Sequence, residues 1–291
     1  MNPQDKFCPK IEYPKTHDLA FTAWVSRADG RPDDGNTPRL VIYWANSNFQ
    51  GETQMNKTKL GVTELADLAR ARAAFSSFLT IHLNVLPDEK FVKQMRRKEI
   101  GSMLELLPKD ESVNEELSSG ASLMYKFLKE TSKDTPAELS QKLGVDRTRL
   151  YRGLAPTYGP PPPYEMVWSQ KWRDVTLLQA LAVLYRENGL AQSTEIIDRM
   201  DYLGVELEFI HALSVRETDA WDTGKMEKAS SLFVEQRKFF QEHLESWVPG
   251  FVEKAFEYVK TDFYHGHLLM LQGFIKEQSG IFSTISSSPK K

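Results

Sequence analysis

Residues 135–165 read TPAELSQKLGVDRTRLYRGLAPTYGPPPPYE, and the fold turns on how this stretch is interpreted. Thr135-Pro136-Ala137-Glu138 is a capping box, in which hydroxyl and carboxylate satisfy free amides of a first helical turn. Pro136 stands at the first helical position, where its missing N–H costs nothing, so a helix starts here. Further on, Pro156-Thr157-Tyr158-Gly159-Pro160-Pro161-Pro162-Pro163 is incompatible with helix, because proline lacks a donor and restricts the residue before it. A stiff polyproline-like crossover between two helical halves is expected.

Helical periodicity extends outward on both sides. From Thr63, Leu65, Leu68, Phe75, Phe78, Leu79 and Leu86 recur at spacings that keep one face apolar. Pro87-Asp88 opens a second helix through Phe91, Val92 and Met95, and Pro108 closes its continuation after Leu104 and Leu107. A third carries Val113, Leu117, Ala121, Tyr125 and Leu128. Beyond the prolines, helical patterns cover about 165–188, 201–219, 225–245, 250–261 and 263–278. No alternating strand pattern occurs after residue 60, so an all-α, single-domain helical bundle over residues 61–285 follows.

Residues 1–60 differ. Five of the fifteen prolines fall by Pro38, and Asp29-Gly30-Arg31-Pro32-Asp33-Asp34-Gly35-Asn36 is a run of turn formers. The strand candidate, Leu40-Val41-Ile42-Tyr43-Trp44, has no obvious partner. An irregular N-terminal extension is expected, either an upstream start-site extension ahead of Met55 or a family-specific arm.

Of the 291 residues, 41% are hydrophobic and 11% aromatic, enough for one large core. Lys and Arg number 37 against 40 Asp and Glu, for a net charge of −3, and no global charge draws the chain to nucleic acid. A single cysteine, Cys8, rules out an internal disulfide or a cysteine zinc cluster and agrees with a reducing, cytoplasmic setting. No apolar run approaches the ~18 residues that span a bilayer, and Asp5, Lys6, Lys10, Glu12 and Lys15 stand where an export signal would be apolar. The pair Arg96-Arg97 lies too deep in the chain to be a twin-arginine leader and reads as surface charge.

Catalytic signatures are missing: no G-x-S-x-G, Walker loop, G-x-G-x-x-G or H-E-x-x-H occurs. His265 and His267, two apart, point about 200° from each other on a helix, which makes them poor joint metal ligands. Glu206 and Glu208 share that spacing and read as partly solvent-facing. Neither a catalytic residue, a metal site nor a cofactor is expected. Residues 137–151 read alone like a helix-turn-helix, with Gly144 at the turn and Arg147, Arg149 and Arg152 in a second helix. A DNA-binding regulator is therefore one alternative, although no basic stripe elsewhere supports it.

The same residues fit another pattern better. Asp146-x-Thr148-Arg149-Leu150-x-x-Gly153, followed by the proline turn and Tyr164-Glu165, resembles the TorD/DmsD/NarJ family of redox-enzyme maturation chaperones. So do Asp201-Tyr202-Leu203-Gly204-Val205-Glu206-Leu207-Glu208-Phe209 and a third block from Phe240 through His243, Trp247, Pro249 and Phe251, with Phe263-Tyr264 beyond. The resemblance spans roughly residues 61–280, with departures at Met166, Met200 and Tyr202, where that family usually has Ser, Pro and His.

What the resemblance implies is a cytoplasmic chaperone of the TorD/DmsD type and not an enzyme. It would bind an immature molybdoenzyme catalytic subunit through its twin-arginine signal peptide and hold it until cofactor insertion. A NarJ-like chaperone of a client without a cleaved leader is the alternative within the class. An arginine-bearing peptide needs carboxylates beside an aromatic groove. Tyr164, Trp168, Trp172 and Leu203, with Tyr202, are the candidate groove, and Asp201, Glu206 and Glu208 the candidate carboxylates. Core packing is the competing role for the aromatics, and helix N-capping for Asp201. The sequence leaves open whether the chain is a monomer or a homodimer that exchanges helices across the proline segment.

Overall fold

The computed structural model describes residues 59–110, 113–155, 157–169, 175–190, 199–287 and 289. They form an all-α bundle: α1 (Val62–Asn84), α2 (Glu89–Met95), α3 (Lys98–Leu106), α4 (Glu115–Glu130), α5 (Pro136–Tyr151), α6 (Glu165–Trp168), α7 (Val175–Glu187), α8 (Leu203–Asp222), α9 (Met226–Phe239), α10 (Val248–Phe256) and α11 (Asp262–Thr284). A 3-10 turn (Leu107–Lys109) follows α3, and a π turn (Phe240–Leu244) extends α9. Among the described residues there is no strand, only an isolated antiparallel bridge between Tyr164 and Tyr202. The strand candidate at 40–44 and the rest of residues 1–58 lie outside the described residues.

Polar side chains set several helix starts. The Asp88 carboxylate accepts from the Phe91 amide at 2.8 Å and Asn114 Oδ1 from the Leu117 amide at 3.0 Å. The expected box at Thr135 forms, with the Glu138 carboxylate 2.8 Å from the Thr135 amide. Such caps contribute about 1 kcal/mol each.

In the core, α1 packs along α8, which also carries α9, while α4 packs along α11. The α4–α11 approach brings backbones together: a methyl group on Gly120 would lie 2.6 Å from the Gly266 carbonyl, and one on Gly266 would lie 2.6 Å from Met124 Cγ. Only glycine permits this separation without overpacking, which costs about 1–3 kcal/mol.

Helix α5 is continuous from Pro136 to Tyr151, which removes the helix-turn-helix reading. Gly144 is an interior helical residue. The buried leucines Leu139, Leu143 and Leu150 lie on the same inward face as buried Asp146 and Arg147, and the burial of that face outweighs the roughly 1 kcal/mol cost of a mid-helix glycine. The basic residues there are internally bound. Arg147 is buried and donates to the Leu83 carbonyl, and Arg149 pairs with Asp146 at 2.9 Å. Asp146 in turn accepts from the Thr261 amide at 2.8 Å and the Thr261 hydroxyl at 2.7 Å, tying α5 to the start of α11.

The helix expected over 165–188 is interrupted at Ser169, after α6 ends at Trp168; Val175–Glu187 is helical, and residues 170–174 lie outside the described residues. The Ser169 amide and hydroxyl both donate to the Glu165 carbonyl, at 2.8 and 2.7 Å. Helix α11 runs on to Thr284, past the expected end, because Ile275, Gln278 and Phe282 continue its buried face.

A buried polar knot joins four helices. Arg72 of α1, 1% exposed, donates to Glu217 at 2.8 Å and Gln236 at 3.0 Å from Nη1, and to Gln278 at 2.8 Å from Nε. Its guanidinium carbon lies 4.7 Å from the Phe282 ring centre. Glu217 is closed off by Gln236 at 2.7 Å and the Trp221 indole at 3.0 Å.

Candidate functional site

The proline crossover delivers Tyr164 to the start of α8. The Glu165 amide donates to the Asp201 carbonyl at 2.9 Å, and the Leu203 amide to the Pro163 carbonyl at 3.0 Å. This lacing sets the short helix α6 beside the first residues of α8, so distant parts of the chain meet as a bridge, Tyr164 with Tyr202. Tyr164 and Trp168 are half-buried on α6, next to exposed Val167.

Asp201 is fully buried. Its Oδ2 accepts from the Met166 amide at 3.1 Å. Arg199 holds the carboxylate with two nitrogens, Nε to Oδ1 at 2.9 Å and Nη2 to Oδ2 at 2.7 Å. The N-cap of α8 is Tyr202, so Asp201 does not cap the helix it precedes. Its carboxylate serves an amide in the first turn of α6 instead. The Arg199 side chain is 45% exposed, lies 4.9 Å from the Tyr164 ring centre and places Nη2 3.0 Å from Met166 Sδ.

Two further carboxylates lie close by. Glu165 is fully buried, with Oε2 2.8 Å from His243 Nδ1 on the π turn. Glu206 is fully buried, not partly solvent-facing as its sequence spacing implied, and no hydrogen bond of ordinary geometry reaches its oxygens, although the Trp247 indole and the Glu165 carboxyl lie close enough to act on it. Burial pushes its carboxyl well above the usual carboxylate range, and the charges of Glu165 and Asp201 push it further. The nearby Trp247 indole opposes this rise. Burial, then Glu206, Glu165 and Asp201 in turn, also raises the Tyr185 hydroxyl, which donates to the Met200 carbonyl at 3.0 Å.

The candidate residues thus divide. Tyr164, Trp168, Asp201, Tyr202, Leu203 and Glu206 come together. Tyr202 and Leu203 belong to the core: both are buried, and the Tyr202 hydroxyl donates to the Leu83 carbonyl at 3.0 Å. Trp168 donates to the Pro162 carbonyl at 3.0 Å and packs edge-on against Phe251. Glu208 lies about 200° around α8 from Glu206 and makes no hydrogen bond to the cluster; burial alone raises its pKa. Trp172 lies outside the described residues.

Sequence reasoning did not place Glu165, Arg199 or His243 in the site. Glu165 and His243 were visible only as members of separate blocks 78 residues apart. Among the described residues no His, Cys, Asp and Glu grouping is arranged to hold a metal ion, and no helix is long and apolar enough to cross a membrane. His267, one of the two histidines weighed as ligands, is fully buried, with Nδ1 2.8 Å from the Tyr151 hydroxyl and Nε2 3.2 Å from the Leu79 carbonyl.

Residues 113–253, from the approach to α4 into α10, match the family model described as the nitrate reductase delta subunit. Over these residues the chain is similar to the TorD/NarJ family. The family region contains the whole cluster of Glu165, Arg199, Asp201, Glu206 and His243. Among curated relatives, "Chaperone protein TorD" of Vibrio vulnificus strain YJ016 is 30% identical over 96 residues, 33% of this chain and 43% of that protein. The proteins of the same name from Vibrio parahaemolyticus serotype O3:K6 and from Photobacterium profundum are 31% and 29% identical over the same shares. The chain therefore spans less than half the length of these relatives. No solved structure matches it.

Proposed function

We propose that this chain is a cytoplasmic maturation chaperone, not an enzyme. It binds an immature molybdoenzyme catalytic subunit through the arginine-bearing signal peptide and holds it until cofactor insertion is complete. Residues 61–285 act as the chaperone domain, and residues 1–60 are an extension to it. Similarity to the TorD/NarJ family and the chaperone names of the relatives support the class.

One observation carries the peptide part of this reading: three fully buried carboxylates converge where α6 meets α8, and one of them, Glu206, makes no hydrogen bond of ordinary geometry. A buried acid whose oxygens meet no donor in good geometry is unfavourable by the order of 1–3 kcal/mol, which a ligand that supplies the donor would offset. A guanidinium is the matching group, since its planar fork pairs with carboxylates and lies over aromatic faces. Tyr164, Trp168 and Val167 would take the apolar stretch that follows the arginines.

The test is calorimetry on the full chain with two synthetic peptides. One carries consecutive arginines ahead of an apolar segment, and the other has both arginines replaced by glutamine. Binding of the first at least tenfold tighter than the second supports the reading. Equal affinities, or no binding of either, sink it. Capture of a mature molybdoenzyme subunit with no binding of the arginine peptide would move the protein to the NarJ-like alternative.

A further inference from the structure

Arg199 sits where the proposed ligand would have to go. Asp201 is fully buried and the Arg199 side chain bonded to it is 45% exposed, so the pair runs from the interior to the surface. The surroundings form an arginine cradle: a carboxylate gripping two guanidinium nitrogens, a tyrosine ring 4.9 Å away and a thioether sulfur at 3.0 Å. Glu206, buried and without a hydrogen bond of ordinary geometry, lies close enough to Asp201 for their charges to interact.

We propose that Arg199 is a resident placeholder in a guanidinium-binding site, and that an arginine-bearing peptide binds by displacing it. The proposal rests on the reading of this cluster as the peptide site and adds how that site is kept before a client arrives. Without a client, Arg199 keeps the Asp201 charge paired, which matters because an isolated buried carboxylate is strongly unfavourable. On binding, one guanidinium replaces another, so Asp201 stays paired in both states. The released side chain is already half in water, so hydration recovers part of what the broken pair loses. Net affinity then comes from the apolar segment on Tyr164 and Trp168 and from any bond the incoming group makes to Glu206.

The placeholder lowers the apparent affinity of every ligand by the same factor, so preference for arginine over lysine comes from the cradle itself: a planar fork pairs bidentately with Asp201 over the Tyr164 ring, which a compact ammonium cannot do.

Calorimetry on the full chain tests this with the twin-arginine peptide and its twin-lysine counterpart, using wild type, Arg199→Ala, Arg199→Lys and Asp201→Asn. If Arg199 fills the site about 90% of the time, Arg199→Ala should tighten the arginine peptide about tenfold. It should tighten the lysine peptide by the same factor, leaving the ratio between the two peptides unchanged, because the occupied fraction does not depend on the ligand. Arg199→Lys should fall between, and it carries the test if Arg199→Ala does not fold. Asp201→Asn should weaken the arginine peptide. Unchanged or weaker arginine-peptide binding by both Arg199 variants, with wild type binding normally, overturns the placeholder and leaves the site reading intact. Absence of binding to wild type and every variant overturns both.

Discussion

Two buried polar clusters in this bundle use similar residues and reach opposite states. Around Arg72, both Glu217 oxygens, the Gln236 amide and Gln278 are mutually bonded, and the guanidinium lies against Phe282. Around Asp201, the cation reaches in from the surface, and one buried acid makes no hydrogen bond of ordinary geometry. A network buried at both ends, in which Arg72 Nη2 alone lacks a hydrogen bond, ties α1, α8, α9 and α11 together and presents no surface to a ligand. An open one, costlier to maintain, is where a partner's charge finds a counterpart.

The largest expected effect separates the two by one substitution type. Glu217→Gln leaves the Arg72 charge buried without its counter-ion and should cost about 3–5 kcal/mol in chemical denaturation. Peptide affinity of the remaining folded fraction should not change. A loss under about 1 kcal/mol would show that the Arg72 knot is not the strut described here.

The pH dependence of stability comes next. His82 is fully buried and its pKa is pushed down to about 4, first by burial; His267, also buried, is lowered as well. Their folded forms prefer to be neutral, so their contribution is complete above the unfolded value near 6.5 and is lost as pH falls toward 4. Glu277 has the reverse sign. Burial raises it to about 9, its contribution is complete below about 4.5, and it is lost as pH rises toward 9. Glu206, raised in the same direction, adds to that loss. Thermal melts across pH should therefore show highest stability between about 4.5 and 6.5 and decline on both sides, by up to about 1.4 kcal/mol for each pH unit separating folded and unfolded values. A plateau rising through about pH 8 would contradict the buried acids.

Asp201→Asn should have a smaller effect on folding, about 1 kcal/mol, because asparagine still offers an oxygen to the Met166 amide and Arg199 is half in water. It should weaken the arginine peptide by about 1.5–3 kcal/mol. The smallest effect is the sharpest contrast with Glu217. Glu206→Gln mimics the protonated acid and should leave stability unchanged at about pH 5 and raise it at about pH 8. Destabilisation by both glutamines to the same degree would erase the distinction between the clusters.

Much of the fold was legible because it rests on local signals. The Thr135 box, Asp88 before α2 and the proline crossover each name their own structure, and the helical period from Thr63 onward marked α1. Gly144 misled because a glycine is read locally, whereas the leucine face that keeps α5 whole is read over its full length. The site was half legible. The blocks around Tyr164 and Asp201 were visible, but their meeting depends on backbone bonds from Glu165 to Asp201 and from Leu203 to Pro163, across residues that carry no periodic signal. Arg199 fell between recognisable blocks, and the solvent-facing reading of Glu206 failed because α6 and the π turn cover a surface that its own helix leaves undetermined.

That π turn shifts the register of the chain that follows it. The Glu245 amide donates to the Phe240 carbonyl at 2.9 Å, one residue further back than in an α-helix. The extra residue rotates everything downstream by about 100° relative to an uninterrupted helix. Excising Gln241 would straighten the helix, carry His243 round to another face and break its contact with Glu165. The alignment of α9 with α10 would shift with it. A frame change of one residue thus couples the wiring of an acid on the crossover to the path the chain takes into its last two helices.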